Sequence, residues 1–309
     1  MHADESMAEA VREVMRDQYE VMVANEAGSR AGDDIEHVHD MRVAVRRIRT
    51  AFRLFGTYFQ PKAIRQHTKD LRATGRALGQ VRDLDVFNRE AMRYLNGLPK
   101  RRRHDLDPLI NHWHSQRETA RLALIDYLDG PRYLRLIDKF GGFVTTPGAG
   151  VQPLDEDQPV RWRVRDVLSS TVWQLYETII SYHRLLSNAP ATTLHVLRID
   201  CKYLRYALEF FTPCLGPETP QLIRHVIAVQ DHLGDIQDAE VAWAILSDFR
   251  RHGGASHPDF TEADLAHIAA YLEFRVAEQR DLIQTIDKTW PCIDSICFRT
   301  QLSRCLLAL

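Results

Sequence analysis

The sequence lacks the features of a secreted, membrane-spanning or disulfide-linked protein. Its five cysteines form no CxxC pair, and their odd number in the C-terminal half argues against a disulfide framework. No apolar run approaches the roughly 18 residues that a membrane span needs, and the acidic N-terminus has no apolar signal core. We therefore expect a cytoplasmic protein with reduced thiols and no membrane partner.

The motifs of common catalytic sites are also missing. The chain contains no GxxxxGK[ST] loop, no GxSxG elbow and no GxGxxG turn. The dipeptides His39-Asp40 and His104-Asp105 lack the further spaced histidines and aspartates that a metal phosphohydrolase needs. Histidines two residues apart, at 37/39 and 112/114, do not share one helical face. We therefore predict no catalytic residue, no metal site and no cofactor.

Helical periodicity dominates the remaining pattern, and strand-like alternation of β-branched residues is nearly absent. The sequence predicts an all-α fold. Residues 141–159 are rich in glycine, proline and acids, which is typical of a linker. We predict an N-terminal helical bundle over 1–142, a linker over 143–160 and a C-terminal helical bundle over 161–309. The predicted helices of the first half cover about 5–27, 35–59, 62–96 and 105–128, with a short one after Pro131.

Two segments of the chain repeat. VHDMRVAVRRIRTAFRLFGTYFQP (38–61) aligns with LHVLRIDCKYLRYALEFFTPCLGP (194–217) at an offset of 156 residues. LGQVRDLDV (78–86) aligns with LGDIQDAEV (233–241) at an offset of 155. Charged and apolar positions match together and in the same order, which indicates an internal duplication. The two bundles should therefore be similar.

The net charge of −2 hides an uneven distribution. Between Arg42 and Arg103 the chain has 17 lysines and arginines and four acids, a net +13, so the rest of the chain carries −15. Such a split favours a focused positive field and a polyanionic partner.

The repeated helix separates an apolar face from a cationic one. At about 100° per residue, its first copy places one histidine and four arginines within about 80° of arc. Met41, Val45 and Ile48 fall on the opposite side. The second copy keeps four of the five cationic positions, and Glu209 replaces the fifth. The predicted ligands on these two helices are His39, Arg42, Arg46, Arg49, Arg53, His195, Arg198, Lys202 and Arg205.

The next helix carries a second cationic stripe. Its duplicate is weaker, because Ile227 and Asp231 replace two of its arginines and only Arg224 matches Lys69. The N-terminal half should therefore supply most of the affinity for an anion. The stripe consists of Lys62, Arg65, Lys69, Arg72 and Arg76, and we include Arg65, Lys69, Arg72, Arg76 and Arg224 among the candidate binding residues.

Stacked like charges destabilise a helix unless an anion or carboxylates face them. An arginine offers a planar fork of donors to phosphate oxygens, and helical turns repeat every ~5.4 Å, a spacing that a linear polyanion can follow. The alternative is a solvated face that Glu36, Asp83 and Asp238 neutralise. We expect Asp83 and Asp238 to hold basic neighbours in place rather than to catalyse. His39 and His195 stand near their helix starts and could be structural.

Five segments of the chain carry a resemblance to a known family: HDMRVAVRRIR, LGQVRDLDV, their second copies HVLRIDCKYLRYALEFF and LGDIQDAEV, and RETARLALIDYLDGPRY (117–133). Through these segments the sequence resembles the CHAD family, the conserved histidine α-helical domain. The resemblance covers essentially the whole chain. It implies two pseudo-symmetric four-helix bundles around a basic central channel that binds inorganic polyphosphate. The ligands implied by its motifs are His39, Arg42, Arg46, Arg49, Lys69, Arg72, Arg76, His195, Arg198, Lys202, Arg205 and Arg224.

The sequence departs from the family pattern at Glu209, Ile227 and Asp231, so the two halves need not bind equally. Many family members are fused to a triphosphate-tunnel domain marked by ExExK, and no ExExK occurs here. We expect a stand-alone, non-catalytic polyphosphate-binding module, with association with polyphosphate granules and oligomeric state left open. The alternatives are RNA or single-stranded DNA binding, although the stripes lack stacking aromatics, and metal-dependent phosphate hydrolysis.

Overall fold

The computed structural model describes residues 1–153, 161–256 and 260–309, and the side chains of these residues except 187, 188 and 248–256. The described residues form helices and no β-strand, so the predicted all-α fold class is confirmed. The helices are α1 Met7–Ala24, α2 Glu26–Ala31, α3 Ile35–Phe55, α4 Pro61–Asn96, α5 Asp107–Asp129, α6 Pro131–Thr145, α7 Val164–Ile180, α8 Ala191–Phe210, α9 Thr219–Ser256, α10 Glu262–Gln284, α11 Ile286–Thr289 and α12 Ile296–Leu306.

Local sequence signals set the ends of the central helices. The Asp34 carboxylate caps α3 by accepting a hydrogen bond from the Glu36 amide at 2.9 Å. A proline occupies the first turn of α4, and Pro190 immediately precedes α8. The predicted first helix is instead two helices, because the chain turns at Asn25.

The apolar faces predicted for the repeated helix are buried. Met41, Val45 and Ile48 of α3 are at most 1% exposed, as are Leu197, Cys201, Leu204 and Leu208 of α8. α3 packs on α1 and α4, α8 packs on α7 and α9, and α3 contacts α8 directly. The ring centroids of Phe55 and Phe211 lie 5.2 Å apart. One apolar core therefore runs through both halves of the chain.

A second apolar core joins the ends of the long helices. α4 and α9 are much longer than the helices α3 and α8 that pack on them, so their C-terminal parts extend beyond the starts of α3 and α8. There they pack with α5 and α10 around Leu95, Trp113, Leu246 and Tyr271. The internal duplication remains an inference from the sequence.

The first part of the predicted linker is packed rather than free. α6 continues to Thr145, and Phe143 and Val144 are buried. The buried Arg12 guanidinium donates to the carbonyl oxygens of Phe143 and Ala149, each at 2.6 Å. These contacts hold the turn after α6 on α1, while residues 154–160 of the predicted linker lie outside the described residues. The division into bundles over 1–142 and 161–309 remains a prediction.

No described helix combines the length and the apolar composition that a membrane crossing requires.

Candidate functional site

A cavity of about 680 Å³ lies between α3 and α4 of the first half and α8 and α9 of the second, and α5 and α10 close its far end. The cationic faces of α3 and α8 both turn into it. The structure thus brings together seven predicted side chains from two distant segments. They are His39, Arg42, Arg46, Arg49, His195, Arg198 and Lys202.

Glycines on the neighbouring helices make room for the arginines. A Cβ atom built on Gly79 would lie 3.7 Å from an Arg42 guanidinium nitrogen, and one built on Gly234 would lie 3.4 Å from Arg198 Nε. A side chain longer than alanine at either glycine would meet the guanidinium. The glycine of each LG pair in the repeated motif therefore lets an arginine lie flat on the opposing helix.

Carboxylates neutralise only part of the cavity. One Arg42 guanidinium nitrogen lies 2.9 Å from Asp83 Oδ1, as expected for an aspartate that holds a basic neighbour. Arg46 Nε donates to the Tyr206 hydroxyl at 2.9 Å. Within the described part of the chain, no carboxylate lies within 4.0 Å of the charged nitrogens of four cavity cations. These four, the unpaired cavity cations, are Arg46, Arg49, Arg198 and Lys202.

Burial makes the positive charge of this cluster costly. It lowers the pKa of Lys202 to about 7, and the positive charges of Arg198 and Arg46 act in the same direction. Burial also lowers the pKa of Arg49, with Arg72 as the next cause, and the pKa of Arg198, against the opposing effect of Asp238. Arg198 Nε is buried and has no hydrogen-bond partner. An anion in the cavity would offset both costs.

The two histidines have different surroundings. His39 is half-buried, and burial together with the charge of Arg82 lowers its pKa, so the ring is mostly neutral at pH 7. His195 is exposed, and its Nδ1 lies 2.6 Å from Gln237 Oε1. This contact fixes the ring orientation, because an amide oxygen accepts and Nδ1 must donate.

One group of side chains at the cavity edge has the composition of a metal site. Ligand atoms of Glu36, His39 and Asp40 lie within 4.8 Å of one another. Glu36 and Asp40 are exposed, and Glu36 also lies 3.8 Å from a guanidinium nitrogen of Arg82. The i, i+3 and i, i+4 spacing that brings the three together was not among the histidine spacings considered in the sequence.

Seven predicted ligands do not line the cavity, and their role in binding remains a prediction. Five of them are exposed on the outer surface of α3 and α4. On α4, Gly75, Gly79 and Asp83 lie beside arginines of α3. Arg205 Nε pairs with Glu209 Oε1 at 2.6 Å, outside the cavity, and Arg224 is exposed on α9. The five on the outer surface are Arg53, Arg65, Lys69, Arg72 and Arg76.

Comparison with known proteins agrees with this architecture. The family model of the CHAD domain matches residues 13–247, well over half of the chain. The chain belongs to the CHAD family. Comparison with curated proteins finds no match.

Solved structures that resemble this CHAD chain include one from a plant and one from Streptomyces chartreusis. The crystal structure of the CHAD domain from the plant Ricinus communis is 24% identical with a TM-score of 0.77, and the match covers 96% of this chain and 94% of that one. PptA from Streptomyces chartreusis is 13% identical with a TM-score of 0.70, over 93% of this chain and 99% of that one. At these identities the likeness shows the shared fold.

Sequence reasoning missed part of the cavity wall of this CHAD domain. Arg82, Arg89 and Arg275 add positive charge, and Glu90 and Asp231 add negative charge. The repeated LGxxxD motif was a usable signal for the walls formed by α4 and α9. Arg82 and Asp83 of the first copy align with Gln237 and Asp238 of the second, and all four residues line the cavity. Arg275 had no such signal. The wall also contains an apolar part formed by Val86, Phe87, Trp113, Val241, Ala242, Ile245, Leu246 and Tyr271.

Proposed function

We propose that this CHAD domain binds inorganic polyphosphate, or a similar extended polyanion, in the cavity between its two halves and does so without catalysis. The observation that carries the proposal is the set of unpaired cavity cations, which α3 and α8 supply from segments 156 residues apart. Three of these cations are half-buried and Arg49 is exposed. Partial loss of water around cations that have no carboxylate partner costs the free protein free energy, so an anion that supplies the missing partner gains free energy.

The shape of the donors supports a phosphate chain as the ligand. Arg42, Arg46 and Arg49 stand on successive turns of α3, about 5.4 Å apart along the axis. Each guanidinium can donate two parallel hydrogen bonds to oxygens of one phosphate. Arg198 and Lys202 face them from α8, so phosphates placed between the helices would meet donors on both sides.

We further propose a cytoplasmic location for the protein. All five cysteines are free in the structure, which supports the reducing compartment expected from their spacing.

The test is a calorimetric titration of the whole chain with polyphosphate of defined length. The double variant Arg46→Gln/Arg49→Gln removes two unpaired cations, and we expect affinity to fall by about 100-fold or more, since a hydrogen bond to a charged group contributes about 1.5–3 kcal/mol. Arg184→Gln/Arg280→Gln is the matched control, because both arginines are exposed outside the cavity and the net charge changes equally. Circular dichroism verifies that both variants keep the helical fold.

The same titration, repeated at low and high salt concentration, gives a second test of the site. Binding by phosphate contacts releases counterions, so affinity of the native chain should fall steeply between low and high ionic strength. Equal affinities for the two double variants, or a binding constant that salt does not change, would refute the proposed site. Adding RNA as competitor separates a polyphosphate preference from general nucleic-acid binding.

Phosphate-chain hydrolysis is the second candidate, and the group formed by Glu36, His39 and Asp40 favours it. His39 lines the cavity, so a divalent cation held there would stand beside a bound phosphate. A phosphate-release assay with Mn²⁺ or Mg²⁺ decides between the two. Binding without turnover predicts no release above the rate without protein, whereas release that Asp40→Asn abolishes would assign the hydrolase function.

A further inference from the structure

The cavity has two chemically different ends. Along α4, Gly75 to Asp83 lie beside the cationic face of α3, whereas Val86 and Phe87 follow about one turn later. α9 repeats the order, with Gln230 to Asp238 at the cationic end, followed by Val241 and Ile245. The C-terminal halves of α4 and α9 form the apolar end, with Trp113 and Tyr271 from α5 and α10 as its floor. Three charged residues also line this end and form ion pairs there: Arg89 and Arg275 with Glu90, and Arg275 with Glu278 as well.

Polyphosphate has no apolar group that could gain free energy by contacting the apolar end. Apolar cavity surface that faces water is unfavourable, and an apolar group that covers it gains free energy in proportion to the area. The two ends belong to one continuous cavity, so one ligand with a charged head and an apolar body can contact both. Pockets for small molecules commonly combine mostly apolar walls with a few charged groups that fix the orientation.

We propose that the cavity also binds phosphorylated hydrocarbons, with a di- or triphosphate on the unpaired cavity cations and an alkyl or prenyl group in the apolar end. The inference rests on the proposed function for the placement of the phosphates. It adds a ligand class that polyphosphate binding alone does not require.

The walls favour a hydrocarbon over a nucleobase. Val86, Val241 and Ile245 offer no hydrogen bonds, whereas the edges of a base carry several donors and acceptors that lose their water when buried. The charged side chains nearest this end are already engaged: an Arg275 guanidinium nitrogen lies 3.2 Å from Glu90 and 2.7 Å from Glu278. A nucleoside triphosphate therefore serves as the comparison ligand.

The experiment compares geranyl diphosphate with inorganic pyrophosphate, and ATP with inorganic tripolyphosphate, by calorimetry on the whole chain. We expect geranyl diphosphate to bind at least about tenfold more tightly than pyrophosphate, and ATP to bind no more tightly than tripolyphosphate. Geranyl diphosphate should also displace polyphosphate, because the two ligands share the cationic end.

Two double variants test whether the apolar end causes the tighter binding of geranyl diphosphate. Val86→Gln/Ile245→Gln makes the apolar end polar at two half-buried positions that tolerate a polar atom. It should remove the advantage of geranyl diphosphate while leaving pyrophosphate and polyphosphate affinity unchanged. Val21→Gln/Ile296→Gln, at exposed positions on α1 and α12, is the matched control and should keep the advantage.

The outcomes separate this inference from the proposed function. Equal affinities for geranyl diphosphate and pyrophosphate, with polyphosphate bound normally, would overturn the inference and leave the phosphate site intact. An advantage that survives Val86→Gln/Ile245→Gln would also overturn it. If neither polyphosphate nor any of the four smaller ligands binds, both the proposed function and the inference fail. Tighter binding of ATP than of tripolyphosphate would replace the hydrocarbon with a nucleobase.

Discussion

Lys202 is a cavity side chain whose pKa lies close to neutral pH. Burial lowers the pKa of its amine to about 7, and the positive charges of Arg198, Arg46 and Arg42 act in the same direction. Asp238 faces it as well and opposes the shift, but no carboxylate among the described residues lies within 4.0 Å of the amine. A phosphate beside Lys202 would restore the pKa towards its ordinary value of about 10.4.

This linkage predicts a pH dependence of polyphosphate binding. Below pH 7 the amine is charged with and without ligand, so affinity is at its full value. Above pH 7 the free protein carries a neutral amine and must take up a proton on binding, so affinity should fall by up to about tenfold per pH unit. Calorimetry with a long polyphosphate at pH 6, 7 and 8.5, in buffers of different ionisation enthalpy, measures both the affinity and the proton uptake.

The control for this prediction is Lys202→Arg, which keeps a permanent charge and should remove the loss of affinity above pH 7. His39 remains in that variant, but burial lowers its pKa from an ordinary value that already lies below pH 7, so it does not account for a loss of affinity above pH 7. An unchanged pH profile in Lys202→Arg would contradict the assignment to Lys202.

The glycines of the two LG pairs show which part of the site could be predicted from the sequence and which could not. The recurrence of LG at 78–79 and 233–234 was visible as part of the duplicated motif, but the sequence predicted no role for the glycines. The reason lies in contacts between helices: Arg42 rests on Gly79, and Arg198 rests on Gly234. Such contacts depend on how α3 and α8 are oriented against α4 and α9, which periodicity within one helix does not specify.

At the scale of helices, amphipathic patterning predicted α3 and α8 well and α4 poorly. α3 and α8 each have one broad apolar face, so the cationic face lies opposite the core and turns into the cavity. α4 contacts α3, α5 and α6. Its residues Gly75, Arg82 and Asp83 line the cavity, whereas Lys69, Arg72 and Arg76 are exposed and do not line it. A stripe of like charges in the sequence therefore does not show whether the charged face of a helix lines a cavity or lies on the outer surface.

The outer stripe of α4 should therefore contribute little to binding. The triple variant Lys69→Gln/Arg72→Gln/Arg76→Gln removes three exposed charges, of which Arg72 and Arg76 lower the pKa of Arg49 from a distance. We expect polyphosphate affinity to fall by less than about tenfold at low salt, and the effect to disappear at high salt, where exposed charges are screened.

The same calorimetric titration checks this prediction. A loss in the triple variant that matches the loss in Arg46→Gln/Arg49→Gln and persists at high salt would show that the phosphate chain lies on the outer surface of α4.

At the scale of the whole molecule, the helical fold class and family membership were predicted from the sequence and are confirmed. The segregation of charge was also visible there, because it is a property of composition. The apolar end of the cavity was not predicted, because it depends on residues of α4, α5, α9 and α10 packing into one core. Trp113 and Tyr271 are buried in the second apolar core, and they also border the cavity.

The charge distribution also has a whole-molecule consequence. The chain has 42 acids against 40 lysines and arginines, so its exterior is not uniformly basic. We therefore expect a polyanion to be attracted to the cationic cavity and the adjoining α4 stripe rather than to the whole surface.

The most direct test of the central claim is a crystal structure of the whole chain with a short polyphosphate. The cavity account predicts phosphates between α3 and α8, with Arg46, Arg49, Arg198 and Lys202 within hydrogen-bonding distance of their oxygens. Phosphates bound only along the outer stripe of α4, with the cavity containing solvent alone, would contradict it.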